Sequence, residues 1–184
     1  NTFMENFSNN FLISMPHLND SIFSKSLIYL CEHNELGAMG IIINKPMSPR
    51  NIQNILKEIG LEQLKPNIEV CFGGPVQIEA GMILHDCKYQ TNDTINISKS
   101  ISLSSSINII KDIKTGIGPH EFKIALGYAG WGEGQLENEI QNGDWLMIPS
   151  DYDLIFKTPS SEILTRLKSL IDVDHLSGGQ SGLS

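Results

Sequence analysis

The chain has 184 residues, 40% of them hydrophobic, enough for one domain with a substantial core and too apolar for a disordered segment. Its acidic residues outnumber its basic ones, leaving a net charge of −8, which favours solubility and argues against a surface for nucleic acid or acidic membranes. No apolar run approaches the ~20 residues of a membrane span and no basic-then-apolar leader is visible, so a cytoplasmic protein is expected.

In chain order, residues 11–14 (FLIS) read as a first strand ended by Met15-Pro16. Residues 17–23 read as a loop or single helical turn with Asp20 as its cap. Residues 27–33 (LIYLCEH) start apolar on both faces, as in the middle of a sheet. Residues 34–37 favour a hairpin turn, and 39–44 (MGIIIN) form the returning strand, stopped by Pro46. Ser48-Pro49 starts a helix, serine at the cap and proline at the first turn, with Ile52, Ile55, Leu56 and Ile59 on one face and Gly60 as the stop. Residues 68–72 form a strand ending in Gly73-Gly74-Pro75, and 81–85 another. Residues 95–97 and 101–103 alternate as half-exposed antiparallel strands. Ser106 caps a short helix carrying Ile107, Ile110 and Ile113 and closed by Gly116.

Residues 127–150 (GYAGWGEGQLENEIQNGDWLMIPS) concentrate glycines with both tryptophans. Residues 123–128 read as a strand, Gly130 and Gly132 as a turn, and 133–142 as a short helix with Leu136 and Ile140 on its apolar stripe. With Gly132 as cap, Trp131 and Leu136 take the positions of a hydrophobic staple and Gln135 reaches back to the cap N–H. Gly143 ends the helix, and 145–148 form a strand closed by Pro149. Such a unit suits a crossover between parallel strands. Residues 154–156 read as a last strand, and Thr158-Pro159 starts a terminal helix with Ile163, Leu164, Leu167, Leu170 and Ile171. The tail from Asp174 reads as mobile, and Asn1, Thr2 and Phe3, ahead of Met4, as expression remnants. The fold class expected is α/β to α+β: a single domain over 1–184 with a mixed, largely antiparallel sheet covered by several helices.

Ordered blocks carry a family resemblance: FLISMP at 11–16, YLCEHN at 29–34, GAMGIIINKP at 37–46, GGPV at 73–76, GMILH at 81–85, LGYAGW at 126–131 and GQLE at 134–137. The chain resembles the AlgH/YqgE family up to about residue 173. The resemblance implies one α/β domain with a mixed sheet, and the label of transcriptional regulator that members often carry. It implies no catalytic residues and no DNA-binding motif. Gly130 departs from the small residue, often serine, expected there.

Leu176-Ser177-Gly178-Gly179-Gln180 matches an ATPase signature, but no P-loop accompanies it, so it reads as coincidence. Cys31, Cys71 and Cys87 include no C-x-x-C pair and suit reduced thiols in a cytoplasm. Cys31 and His33 share a strand face, opposite Glu32; two ligands make no zinc site, so no metal and no cofactor are expected. A thiol or histidine pair drawn from Cys31, Cys71, His33 and His85 is the basis of an alternative hydrolase reading. Gly73-Gly74-Pro75 reads as a structural turn before an anion cradle. A direct DNA-binding regulator is the other alternative, against which both long helices lack a clustered basic face.

The leading expectation is a non-enzymatic binding or regulatory protein whose partner is a protein or small ligand. Its groove would join Asn44, Lys45, Gly73 and Gly74 to the loop and helix carrying Tyr128, Gly130, Trp131, Gln135 and Glu137.

Overall fold

The computed structural model describes residues 5–19, 21–58, 60 and 68–177. Residues 1–4, Asp20, Ile59, residues 61–67 and 178–184, and the side chains of Pro49, Asn51, Ile52, Ile107 and residues 172–177 lie outside what is described. The strands are β1 (Asn10–Ser14), β2 (Leu27–Asn34), β3 (Gly37–Ile42), β4 (Val70–Phe72), β5 (Val76–Asp86), β6 (Ile95–Asn96), β7 (Ile101–Ser104), β8 (Phe122–Trp131) and β9 (Trp145–Pro149). The helices are α1 (Pro49–Glu58), α2 (Ile107–Thr115), α3 (Gln135–Gln141), α4 (Tyr152–Phe156) and α5 (Ser160–Ser177), with a 3-10 turn at Pro16–Leu18. Together they form one α+β domain.

The strands join in the order β6-β7-β5-β8-β3-β2-β1-β9, with β4 attached to β8. Every pairing is antiparallel except β4 on β8, which is parallel. The expected mixed, largely antiparallel sheet is therefore present. β8 and β9 do run parallel, three strands apart, and α3 crosses the face between them.

Period-two alternation sorts the central strands onto two cores. Leu12, Ile28, Leu30 and Ile42 pack with Trp131, Leu136 and Trp145 on the α3 face. Phe11, Ile13, Leu27, Tyr29, Ile41 and Ile43 pack with Leu154, Ile155, Ile163 and Leu167 on the α4–α5 face. A third cluster joins Ile83, Ile124 and Leu126 to Ile109 and Ile110 of α2 and to half-buried Ile55 and Leu56 of α1. Each buried Leu or Ile stabilises by about 1.5–3 kcal/mol.

Several expectations are corrected. Residues 154–156 are helical, because the Asp151 carboxylate accepts the Leu154 N–H and nucleates a turn. β8 runs on through Gly130, which pairs with Met39, so the turn begins only at Gly132 and the cap of α3 is Gly134. Gln135 still reaches back, accepting the Gly132 N–H at 2.9 Å. β3 spans Gly37–Ile42 rather than 39–44, and β5 begins five residues before the expected Gly81. Helix α5 carries through the start of the expected mobile tail, as far as Ser177. A β-bulge interrupts β2 between Leu30 and Glu32. Cys31 packs into the α4–α5 core, whereas His33, opposite Ala38, stacks on Phe7 of the α3 side. The extra residue thus puts Cys31 and His33 on opposite faces.

One construction organises the middle of the sheet. β4 and β5 both pair with residues 124–126, so they occupy opposite edges of β8. Gly73, Gly74 and Pro75 carry the chain across β8 between them. A Cβ on Gly74 would lie 2.1 Å from the Tyr128 carbonyl carbon, and one on Gly127 (φ +74°) would lie 2.3 Å from the Gly74 oxygen. Only glycine permits backbones to cross this closely.

Candidate functional site

The crossing accounts for part of the expected groove. Gly73 donates its N–H to Leu126 O at 2.8 Å and accepts the Ile42 N–H at 2.9 Å, so its backbone is committed to the sheet. Asn44 accepts the Leu27 N–H at 2.8 Å and donates to Lys25 O at 2.9 Å, tying the end of β3 to the loop before β2. Lys45 donates to Ile22 O at 2.7 Å, its backbone oxygen accepts the Phe72 N–H, and partial burial lowers its amine below the ordinary lysine value. Asn44, Lys45, Gly73 and Gly74 thus adjoin the Gly127–Tyr128 crossing, with Tyr128 half-buried.

Trp131, Gln135 and Glu137 lie at the far end of β8. The Glu139 carboxylate gathers three donors there: the Trp131 indole at 3.0 Å, the Trp145 indole at 2.9 Å and the Gln135 amide at 2.8 Å. The two indoles meet edge to face with centroids 6.0 Å apart. Glu137 stands 3.2 Å from His33 Nε2, within ion-pair distance but off the geometry of a hydrogen bond. His33 Nδ1 accepts the Phe7 N–H at 2.9 Å, so the ring proton sits on Nε2, towards Glu137. Gly130 is exposed, its missing side chain bordered at ordinary contact distance by Tyr128 and Val76. Around Glu139 the donors and acceptor satisfy one another, as a scaffold requires, whereas His33 Nε2 is buried without a hydrogen-bond partner.

The opposite end of β8 differs. Lys123 is 8% exposed. Its ammonium group donates to Ser160 Oγ at 2.6 Å and Ile43 O at 3.1 Å, and Ser160 Oγ lies 3.3 Å from Cys71 Sγ. No carboxylate among the described residues comes within ion-pair distance of Lys123. Burial holds the amine below the ordinary lysine range, opposed by Cys71 and Glu69. Burial likewise pushes the Cys71 thiol up to about 11, against the pull of Lys123.

Lys123 lines a cavity of about 420 Å³ between the start of β8, the start of β4 and the α4–α5 link. Ile68, Phe122, Ile155, Phe156 and Pro159 give it apolar walls, and exposed Glu69 and Lys157 stand at its mouth. Glu69, Lys123, Lys157 and Thr158 supply the polar part of the lining; a concave pocket holding a titratable residue of perturbed pKa has the form of a ligand site. In the sequence Lys123 stands only as the first residue of a strand and Ser160 follows the Thr158-Pro159 helix start. The one available signal was a lysine opening an otherwise apolar strand.

The thiol and histidine pairs take other forms. Among the described residues no cysteine bonds a histidine: Cys31 donates to Tyr29 O, Cys71 meets Ser160 and Glu69, and Cys87 donates to Lys99 O. Burial raises the Cys31 thiol far above its ordinary value, which leaves it unreactive. His85 is fully buried; its Nδ1 donates to Asp86 O at 2.7 Å, so Nε2 accepts the Ser104 hydroxyl at 2.8 Å. Burial lowers its pKa. No group of three or more metal-ligating side chains occurs among the described residues, and no described helix is long and apolar enough to cross a membrane.

A family profile described as AlgH-like (DUF179) matches residues 11–176. A UPF0301 protein of Marinomonas sp. (strain MWYL1) is 43% identical over 95% of this chain and 94% of its own length. Another from Hahella chejuensis is 41% identical over 94% and 92%. The solution structure of the AlgH protein from Pseudomonas aeruginosa superposes with a TM-score of 0.78 at 35% identity, covering 100% of this chain and 99% of that one. A crystal structure of a Corynebacterium diphtheriae protein, 16% identical, shares the fold at a TM-score of 0.69 over 91% and 88% of the two chains.

Proposed function

The chain belongs to the AlgH-like family, and from that premise we propose that it is a binding protein for a small molecule with an apolar body and one anionic group. The site is the cavity beside Lys123, at the end of β8 away from Trp131. The observation that carries the reading is a buried lysine, without a carboxylate partner among the described residues, lining an apolar-walled cavity. A ligand carboxylate or phosphate would supply the missing charge while its hydrocarbon covers Ile68, Phe122 and Phe156. Regulation would then follow ligand occupancy. Direct DNA contact is less well supported: the net charge is −8, and on α5 Arg166 pairs with Glu162 at 3.0 Å.

Titration calorimetry with octanoate, and with octylamine as control, tests this reading. Octanoate is expected to bind and octylamine to fail. Lys123→Met should weaken octanoate about 10- to 100-fold, the value of a charge-assisted hydrogen bond. Unchanged octanoate affinity in Lys123→Met would overturn the assignment.

A further inference from the structure

We propose that Ser160 and Lys123 form a nucleophile–base pair that takes acyl groups from esters or thioesters with an apolar acyl chain. The inference rests on the ligand reading above, since a carboxylate with an apolar body is the product of such hydrolysis. Three observations converge on it. The Ser160 hydroxyl lies 2.6 Å from the Lys123 amine, the reach of a proton transfer. The amine is positioned by a second bond to Ile43 O at 3.1 Å, as a general base is held by an orienting group. Lys123 and Pro159, the residue before Ser160, both line the cavity, and Ser160 reaches it through its bond to Lys123.

Hydrogen-bond accounting allows it. The Cys71 S–H donates to the Glu69 carboxylate and an amine N–H to Ile43 O; with the amine charged Nζ donates to Ser160 Oγ, and with it neutral the Ser160 O–H can donate to the Lys123 lone pair. Burial of the amine enlarges the neutral population at a given pH. Ser160 also opens the 18-residue helix α5, whose positive end favours a developing oxyanion.

In the step, Ser160 Oγ attacks the acyl carbonyl carbon as its proton passes to Lys123 Nζ. The tetrahedral intermediate collapses, the bond to the alcohol or thiol breaks, and the leaving group takes the proton from Lys123. A water molecule then attacks the Ser160 ester with Lys123 again as base, releasing the carboxylic acid and restoring the serine. No oxidant or cofactor enters. Ser160 is 1% exposed, so the Thr158–Pro159 wall must open for the ester to reach it, and the same wall closed over the acyl-serine keeps water out and makes its hydrolysis the slower step.

The competing arrangement, Ser104 with His85, is likewise buried, and neither residue lines any of the described cavities. The expected reactivity therefore localises to Ser160.

The experiment uses p-nitrophenyl octanoate with the full chain, reading nitrophenolate release and intact mass, with peptide mapping. Wild type is expected to gain one octanoyl group on Ser160. Ser160→Ala should gain none, and Ser160→Cys should carry the group as a thioester. Lys123→Arg, which keeps the charge without a usable base, should acylate about 100-fold more slowly, with the wild-type rate rising with pH as the amine deprotonates. A folded wild type that binds octanoate but forms no Ser160 adduct overturns the proposal and leaves the ligand reading standing. An adduct formed equally fast in Ser160→Ala also overturns it. An adduct on Ser160 without octanoate binding supports the acyl chemistry and overturns the carboxylate-binding reading.

Discussion

The two ends of β8 solve the problem of buried polarity in opposite ways. At the Trp131 end, one carboxylate accepts from two indoles and an amide, so charge and donors are matched within the chain. At the Lys123 end, a cation is buried with hydrogen bonds to a hydroxyl and a carbonyl and no described carboxylate in ion-pair distance, next to open space. A matched network rigidifies a fold. An unmatched charge facing a cavity is a cost the fold tolerates where a ligand or a reaction completes it.

Substitutions separate the two kinds of end, and the crossing between them sets the largest effect. Gly74→Ala places a methyl group inside the Tyr128 backbone, and should cost about 4 kcal/mol or more in urea denaturation, enough to threaten folding. Glu139→Ala strands both indole N–H groups at the matched end and should cost about 3 kcal/mol, read as a lower urea midpoint together with altered tryptophan fluorescence. Lys123→Met at the unmatched end should change stability by only about 1 kcal/mol, since an apolar side chain of similar length removes the desolvation cost along with the bonds. A loss for Lys123→Met as large as for Glu139→Ala would erase the contrast.

The smallest effect is a pH dependence. The folded Lys123 amine titrates below the unfolded value of 10.5. Between the lowered and ordinary values the unfolded chain binds the extra proton, so this group's contribution to stability rises with pH there, by at most about 1.4 kcal/mol per unit. The buried Tyr29 phenol, raised well above 10 by desolvation, acts in the opposite sense in alkali. The difference between wild type and Lys123→Met isolates the lysine: it should grow in favour of wild type as pH rises towards 10.5. His85 sets the acid side. Its folded pKa lies below 6.5, so stability falls as pH drops through 6.5 and the unfolded histidine gains its proton.

Much of the fold was written locally. Ser106 and Gly116 bracket α2 as expected, the serine hydroxyl accepting the Asn108 N–H and the glycine standing at φ +82°. Gly143 stops α3, and the hairpin joining β2 and β3 follows its turn. Where the reading failed, a long-range or one-residue effect decided. The bulge at Cys31 reversed which face His33 takes, and alternation alone cannot reveal an inserted residue. Residues 154–156 look like a strand by composition until the Asp151 cap is weighed. The Lys123–Ser160 pair joins residues far apart in sequence on elements that meet only in the folded chain, so the one local mark was a lysine opening an apolar strand. Glu139 escaped notice for the same reason: it read as one acid among several on a short helix.

The overpass at Gly127 also orders events in time. β4 and β5 are made early in the chain, yet the strand they straddle begins only at Phe122. During synthesis β3, β4 and β5 must wait, with unpaired edges open to misassembly, until β8 leaves the ribosome. β8 is then laid between neighbours on both sides at once, a late, non-local closing step of the kind that slows folding. A chain halted before Phe122 would hold more than half of the sheet's strands and no way to join β3 to β5.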